Sequence, residues 1–444
     1  MVSRLDRFLA GDRRTILSNS AFLVATTIAT AGLGFAYWWL AARRFPAQQV
    51  GIAAAAVSGM TLLGYLAMLG FGTLLIAVVH ESGDRAIAYV ATASLASAVV
   101  GGLLGVLALL AAPVISPELA GFARDPTGLV LFPVGVGLSA STLVVDTALI
   151  GMLRGGTQFV RNLVFAGGKL ALLLVAVVFV AAASGVTIFA TWVAGLLVSM
   201  LVLAGLALRV EGRLARYRPD TQILRHLSRG LLKHHALNLA VQAPTLALPL
   251  VVATALSVTS AAYFYAAWMM AGFAAIASPS LGITLYAVGS RSPSRLAHSM
   301  RLTLGLSLLV ACAACLTVVV GGRTLLGIFG PAYATEASTA LIFLTLATLP
   351  GIVKTHFLQV ARLANRIGIG AAIMAGGAVL ELAMAAIGGE SSGLVGLSQG
   401  YAAAVVIEAL VMSPSVLRAA GFLGRPHPPV AVRPDDADPS TEGL

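Results

Sequence analysis

The chain has 444 residues, of which 59% are hydrophobic and only 10% charged, and it carries a net charge of +11. Water-soluble domains hold nearer a quarter charged residues, so an ordinary soluble fold is excluded. The positive charge sits in alternate gaps between apolar runs, which marks it as a membrane-orientation signal rather than a nucleic-acid surface.

A bilayer core about 30 Å thick needs about 20 helical residues per crossing. In chain order the predicted spans are 16–42, 50–79, 86–112, 127–153, 163–183 and 186–208, then 236–256, 259–288, 302–321, 339–360, 369–388 and 393–417. The first run is too long, and too closely followed by a second, to be a cleaved leader. Of the 28 Lys and Arg, 22 lie in the amino-terminal tail (1–15), every second loop and the carboxy-terminal tail. The other gaps hold Arg43, Arg44, Arg124 and Arg323, while Lys169 and Lys354 lie inside apolar runs. Basic loops stay in the cytoplasm, so both termini are expected there.

The longest basic loop, 209–235, separates six spans (16–208) from six more (236–418). Its ILRHLSRGLLKHH segment has the character of an interfacial helix or of a solvated, charge-anchored linker. The Pro-rich, acidic 419–444 end reads as a disordered cytoplasmic tail. The two halves resemble each other at an offset near 208, with Arg154 on Arg362 and Gly168 on Gly376. The expected fold is therefore an all-α polytopic membrane protein, with about twelve transmembrane helices in two parallel-repeat six-helix bundles. A central cleft between them is expected.

Ionisable groups in hydrocarbon are costly and face a neighbour or a watery cavity. Asp146 stands eight residues before Arg154 and Lys169 eight after Arg161, which predicts equal depth in a hairpin, about 12 Å from its ends, and an ion pair. Lys354, eight before Arg362, is expected at the position corresponding to Asp146, as a cavity cation. Glu381 and Glu408, on the last two helices, are expected to meet as a carboxylate pair able to bind a proton. Arg43 and Arg44 end the first span, where they meet lipid phosphate or snorkel. His356 and the amides Asn19, Asn238 and Gln242 complete the polar candidates, the amides as interhelical hydrogen-bonding groups. Pro244, Pro249, Pro279 and Pro350 are expected to break or kink second-half helices. Cys312 and Cys315 read as small packing residues. No catalytic or metal-binding motif is present in the sequence, and neither an enzyme nor a cofactor is expected.

The opening stretch LSNSAFLVATTIATAGLGFAYWWLAARRFPAQQVGIAAAAVSGMTLLGYLAMLGFGTLLI resembles the amino-terminal signature of polysaccharide flippases of the multidrug/oligosaccharidyl-lipid/polysaccharide (MOP) superfamily. The pieces are Asn19 opening the first helix, the aromatic-aliphatic-Ala-Arg-Arg-Phe run at 38–45, Val50-Gly51, and Leu69-Gly70-Phe71-Gly72. The resemblance implies a V-shaped pair of bundles working by alternating access in a bacterial plasma membrane. Its implied substrate is a polyprenyl-diphosphate-linked oligosaccharide, with a glycan polymerase, glycosyltransferases and membrane lipids as partners. Lys354, Lys169, Arg43 and Arg44 are then the cations available to the diphosphate. The alternative is a cation-coupled exporter of small amphipathic molecules, although residues 16–42 lack the first-helix carboxylate common in such exporters.

Overall fold

The computed structural model describes residues 2–79, 82–179, 184–211, 221, 223 and 229–423, without the side chains of 2–21 and of a few residues near helix ends. The expected tail beyond residue 423 and most of the 209–235 linker lie outside the described residues, as does the side chain of Asn19. The first half comprises α1 (Val2–Arg44), α2 (Ala47–Ala67), α3 (Phe71–Val78), α4 (Ala86–Ile115), α5 (Pro117–Arg124), α6 (Pro126–Gly151), α7 (Gly155–Phe179) and α8 (Gly185–Glu211). The second comprises α9 (Arg229–Ala255), α10 (Val258–Ala275), α11 (Ala277–Arg291), α12 (Leu296–Gly327), α13 (Pro331–Glu336), α14 (Ser338–Leu346), α15 (Thr348–Leu363) and α16 (Ile367–Ala419). Among the described residues, 11 helical segments are long and apolar enough to cross a bilayer. The last folds back on itself at Ser392–Gly393, where Gly393 has φ 61° and ψ −143°, so it supplies two crossings. This is an all-helical, multi-pass membrane protein.

Local chemistry explains the breaks. Proline lacks an N–H and its ring clashes with the carbonyl four residues back. Pro279 therefore ends α10 at Ala275, and Pro350 ends α14 at Leu346. Pro244 and Pro249 instead stay inside an unbroken α9. Between α2 and α3 the chain turns through Leu69 (φ 51°) and Gly70 (φ 87°). Among the described residues, side-chain caps start three helices. Asp125 accepts from the amides of Thr127 and Gly128, Ser184 from Thr187, and Ser257 from Ser260.

The order of elements repeats, but in a register different from the one expected. Ile367 opens its helix where Gly155 opens α7, an offset of 212 (367 against 155). The turn before α7 is only Met152–Arg154 long, so Gln158, Arg161 and Asn162 lie in the helix, not in a loop preceding a span at 163. In this register Lys169 and Glu381 occupy equivalent positions, each 14 residues into its helix, and Lys354 is not the counterpart of Asp146.

Helix α2 joins the halves. Along its first half α2 is buried on every side, with Gly51, Ala53–Val57 and Gly59 all buried, and it packs against α10, whose alanines 261, 262, 266 and 267 are buried too. Without a hydrophobic drive inside lipid, association relies on close backbone approach, which small residues allow. At the end of the bundle carrying Arg43, contacts between the halves are dense. The Val258 amide donates to Glu118 Oε2 at 2.8 Å, Trp39 Nε1 to the Ile328 carbonyl at 3.0 Å, and Arg43 Nε to that same carbonyl at 2.7 Å. Trp38 and Tyr265 rings meet at 4.6 Å. Toward the opposite end, which carries Arg154, the polar bridge from Gln242 Nε2 to Tyr65 Oη is long, at 3.5 Å.

Candidate substrate and coupling site

A cavity of about 450 Å³ lies within the second half, walled by α9, α10, α11, α12, α14, α15 and α16. Most of its wall is apolar or small. Lys354 and Glu381 line it in the middle, and Arg362 and Gln359 line it toward the last turn of α15. Its size suits a drug-sized or cofactor-sized molecule.

Its chemistry is set by three helices. Lys354 comes from α15, and Glu381 and Glu408 come from the two arms of α16, which the reversal at Gly393 lays side by side. The sequence expectation that the two glutamates meet matches this geometry; Lys354, expected as a cavity cation, does line the cavity, but its charge is met by carboxylates. Lys354 Nζ is ion-paired to Glu381 Oε1 and lies 3.0 Å from Glu408 Oε2. The second contact falls outside hydrogen-bond geometry, which leaves both Glu408 oxygens buried without a donor. Gly377, one turn before Glu381, makes room for the Glu408 carboxylate, since a methyl there would stand 2.6 Å from its carbon. Tyr401 and Trp268 pack edge-on at 5.2 Å and close the same wall. With all three groups ionised, the cluster has one negative charge in excess.

The other candidates are placed differently from expectation. Asp146 pairs with Arg161, at 2.5 Å, and not with Lys169. Asn162 braces the pair by accepting from Arg161 at 2.8 Å. The reason is the short turn: Asp146 is five residues from the end of α6, about 8 Å, while Lys169 is 14 residues up α7, about 21 Å. Lys169 lies instead in an aromatic box, with Nζ 3.3 Å from the Trp192 ring centre, 4.6 Å from Phe165 and 5.1 Å from Tyr37. No carboxylate pairs with it among the described residues, and the aromatic faces supply the stabilisation.

His356 points away from the cavity. It is fully buried, bonded to the Ile352 carbonyl at 2.8 Å and to Thr303 Oγ1 at 3.1 Å, so it is a packing group and not a cavity residue. Arg43 holds the second half rather than a ligand, through Ile328 and Gly327. Arg44 is exposed beside it, in a shallow groove with Leu174 and Val178. Asn238 contacts Arg362, and Gln242 lines the cavity. Sequence reading passed over Arg161, which pairs with Asp146, and Arg362, which lines the cavity, because each stands toward a helix end, where a basic residue reads as an orientation signal.

No protein-family model matches the chain, and no curated protein does. Solved structures do match. An inward-facing multidrug resistance MATE family transporter of the MOP superfamily aligns at 15% identity over 89% of this chain and 95% of that one, with a TM-score of 0.66. An outward-facing counterpart aligns at 14% identity over 92% and 96%, with a TM-score of 0.60. This chain has the MATE-type fold. A third MOP superfamily transporter, from Pyrococcus furiosus and described as having a binding pocket of reversed polarity, aligns at 12% identity over 93% and 96%, with a TM-score of 0.59. At these identities the MATE-type likeness speaks for the fold alone.

Proposed function

We propose that this protein is a cation-coupled exporter that carries small amphipathic molecules across the membrane by alternating access. The observation that carries this reading is Lys354 held between Glu381 and Glu408 on the wall of a drug-sized cavity. At the Lys354 cluster a diphosphate would meet a lysine already neutralised, and two carboxylates beside it. A positively charged group, by contrast, meets the excess negative charge. A proton neutralises the same excess, so proton and substrate compete for one site, and competition of that kind is sufficient for exchange transport. By the loop-charge asymmetry the closed Arg43 end faces outward and the Arg154 end faces the cytoplasm.

Ethidium accumulation in cells overexpressing the protein tests this. Overexpression should lower accumulation, and Glu408→Gln, which removes the excess charge that proton and cation share, should abolish efflux driven by a pH gradient and weaken ethidium binding to the purified protein. Unchanged gradient-driven efflux by Glu408→Gln would remove the cluster from coupling.

A second reading, the flipping of polyprenyl-diphosphate-linked oligosaccharide in a bacterial plasma membrane, keeps one specific support: the amino-terminal stretch from Leu17 to Ile76 and its likeness to polysaccharide flippases. Depletion of the protein that strands complete lipid-linked oligosaccharide on the inner leaflet, with ethidium efflux unaffected, would select it.

A further inference from the structure

The cavity has two electrostatic poles, and they lie on one helix. Lys354, with its two glutamates, forms the acidic pole. Arg362 lies eight residues further along α15, an axial separation of about 12 Å. Both side chains line the same cavity, and the wall between and around them includes Leu358, Val241, Ile283 and Met374.

Arg362 is bonded unlike Arg161, Lys354 and Lys169, the last of which lies against aromatic ring faces. Arg161 has Asp146, and Lys354 has two carboxylates. Among the described residues Arg362 has no carboxylate; its contacts are the neutral oxygens of Gln359 at 3.5 Å and Asn238 at 3.4 Å, both at the outer limit of hydrogen bonding. A guanidinium offers five donors in a planar fork suited to an oxyanion, and these long contacts leave most of them free. Gln359 and Asn238 hold the fork at the cavity edge without satisfying it.

We propose that the substrate of this site is a bipolar amphipath: a cationic group seats against Glu381 and Glu408, and an oxyanion, a phosphate or carboxylate, seats on Arg362. An apolar stretch of substrate spans the wall between them. This rests on the reading of the cavity as the transport site, and narrows its substrate from any amphipath to one carrying two opposite charges set about two helical turns apart. Each charge alone leaves one pole unsatisfied, so selectivity arises from the pair.

The test uses the full-length protein in nonionic maltoside micelles, with fluorescence of the tryptophans, including the cavity-lining Trp268, as the readout. The probes are ω-aminoalkyl phosphates of about four to about twelve carbons, with alkylamines and alkyl phosphates of the same lengths. The expected result is an affinity optimum near nine or ten carbons, matching the ~12 Å spacing, with the aminoalkyl phosphate binding about tenfold tighter than either singly charged probe. Arg362→Gln should remove that gain while leaving alkylamine binding intact, and Arg362→Lys should restore part of it. Aminoalkyl phosphates no tighter than alkylamines would overturn the two-pole inference and leave the exporter reading standing. Alkyl phosphates binding as tightly as aminoalkyl phosphates would overturn it in favour of a simple anion site. If no probe binds, alkylamines included, both the inference and the reading beneath it fall.

Discussion

At the scale of single residues, the fold handles its intramembrane charges in three ways. Arg161 and Asp146 form a closed pair, yet Arg161 Nε and Nη1 remain buried without acceptors. Removing one member of a buried pair strands the other, at a cost of about 3–5 kcal/mol. Arg161→Ala should therefore lower the thermal denaturation temperature of the purified protein, and Asp146→Ala added to it should recover part of the loss. Lys169→Ala combined with Asp146→Ala should be additive, because these two do not touch. Strong coupling between Lys169 and Asp146 in that cycle would contradict the structure. Lys169 is the second case, a cation held by ring faces instead of a counter-ion. The Lys354 cluster is the third, with charge left over, and it borders the cavity. Glu381 and Glu408 were legible in the sequence as a meeting pair because antiparallel neighbours place them at similar depth. Their lysine was not, since rotation of α15 about its own axis leaves no trace in the order of residues.

At the scale of elements, proline position and glycine conformation set where helices stop. Pro279 and Pro350 each end a helix four residues upstream, which divides two membrane crossings into shorter pieces around the cavity. The reversal in α16 depends on Gly393 at φ 61° and ψ −143°, a region that residues with a Cβ seldom occupy. Gly393→Ala should cost about 1–3 kcal/mol. It should also disturb the approach of Glu381 to Glu408, which two measurements read together: lower thermal stability and weaker binding of a cationic probe. A variant as stable as the parent would show that the reversal tolerates a side chain. The hairpin of α6 and α7 shows how an error at one element propagates. Reading Gln158–Asn162 as loop moved the start of the span by eight residues, from Gly155 to 163, and brought Lys169 level with Asp146. Polar residues at a helix end resemble a loop in hydropathy, and only backbone hydrogen bonding distinguishes the two.

At the scale of the whole molecule, the two halves meet most closely at the Arg43 end. Gly51 of α2 lies directly against the carbonyl of Val258, and a Cβ at position 51 would collide with that backbone. Gly51→Val should hold this end apart. The expected outcome is a longer distance between spin labels placed on α2 and α10 at the Arg43 end, together with loss of transport at normal membrane abundance. An unchanged distance would show that the contact is not needed for closure. Arg43 and Trp39 act at the same end by donating to the carbonyls of Gly327 and Ile328, so the first helix of one half is tied to the end of α12 in the other. Arg43, expected to meet lipid or substrate, thus serves the contact between halves, and its neighbour Arg44 stays exposed.

The sequence by itself determined what is local along the chain or summed over it: membrane character, the number of crossings, the alternation of loop charge and the identity of the intramembrane ionisable groups. Hydropathy is a property of consecutive residues, and a run of twenty is long enough to average out its noise. The tertiary structure alone decided which of those groups touch. Contact depends on helix rotation, on the true length of each turn and on how two halves lean together, and each is set by packing between segments far apart in sequence. Lys354, expected as a cavity cation for an anion, therefore became the centre of an acidic cluster, and Arg362, which reads in sequence as an ordinary basic residue at a loop, became a second basic residue lining the cavity.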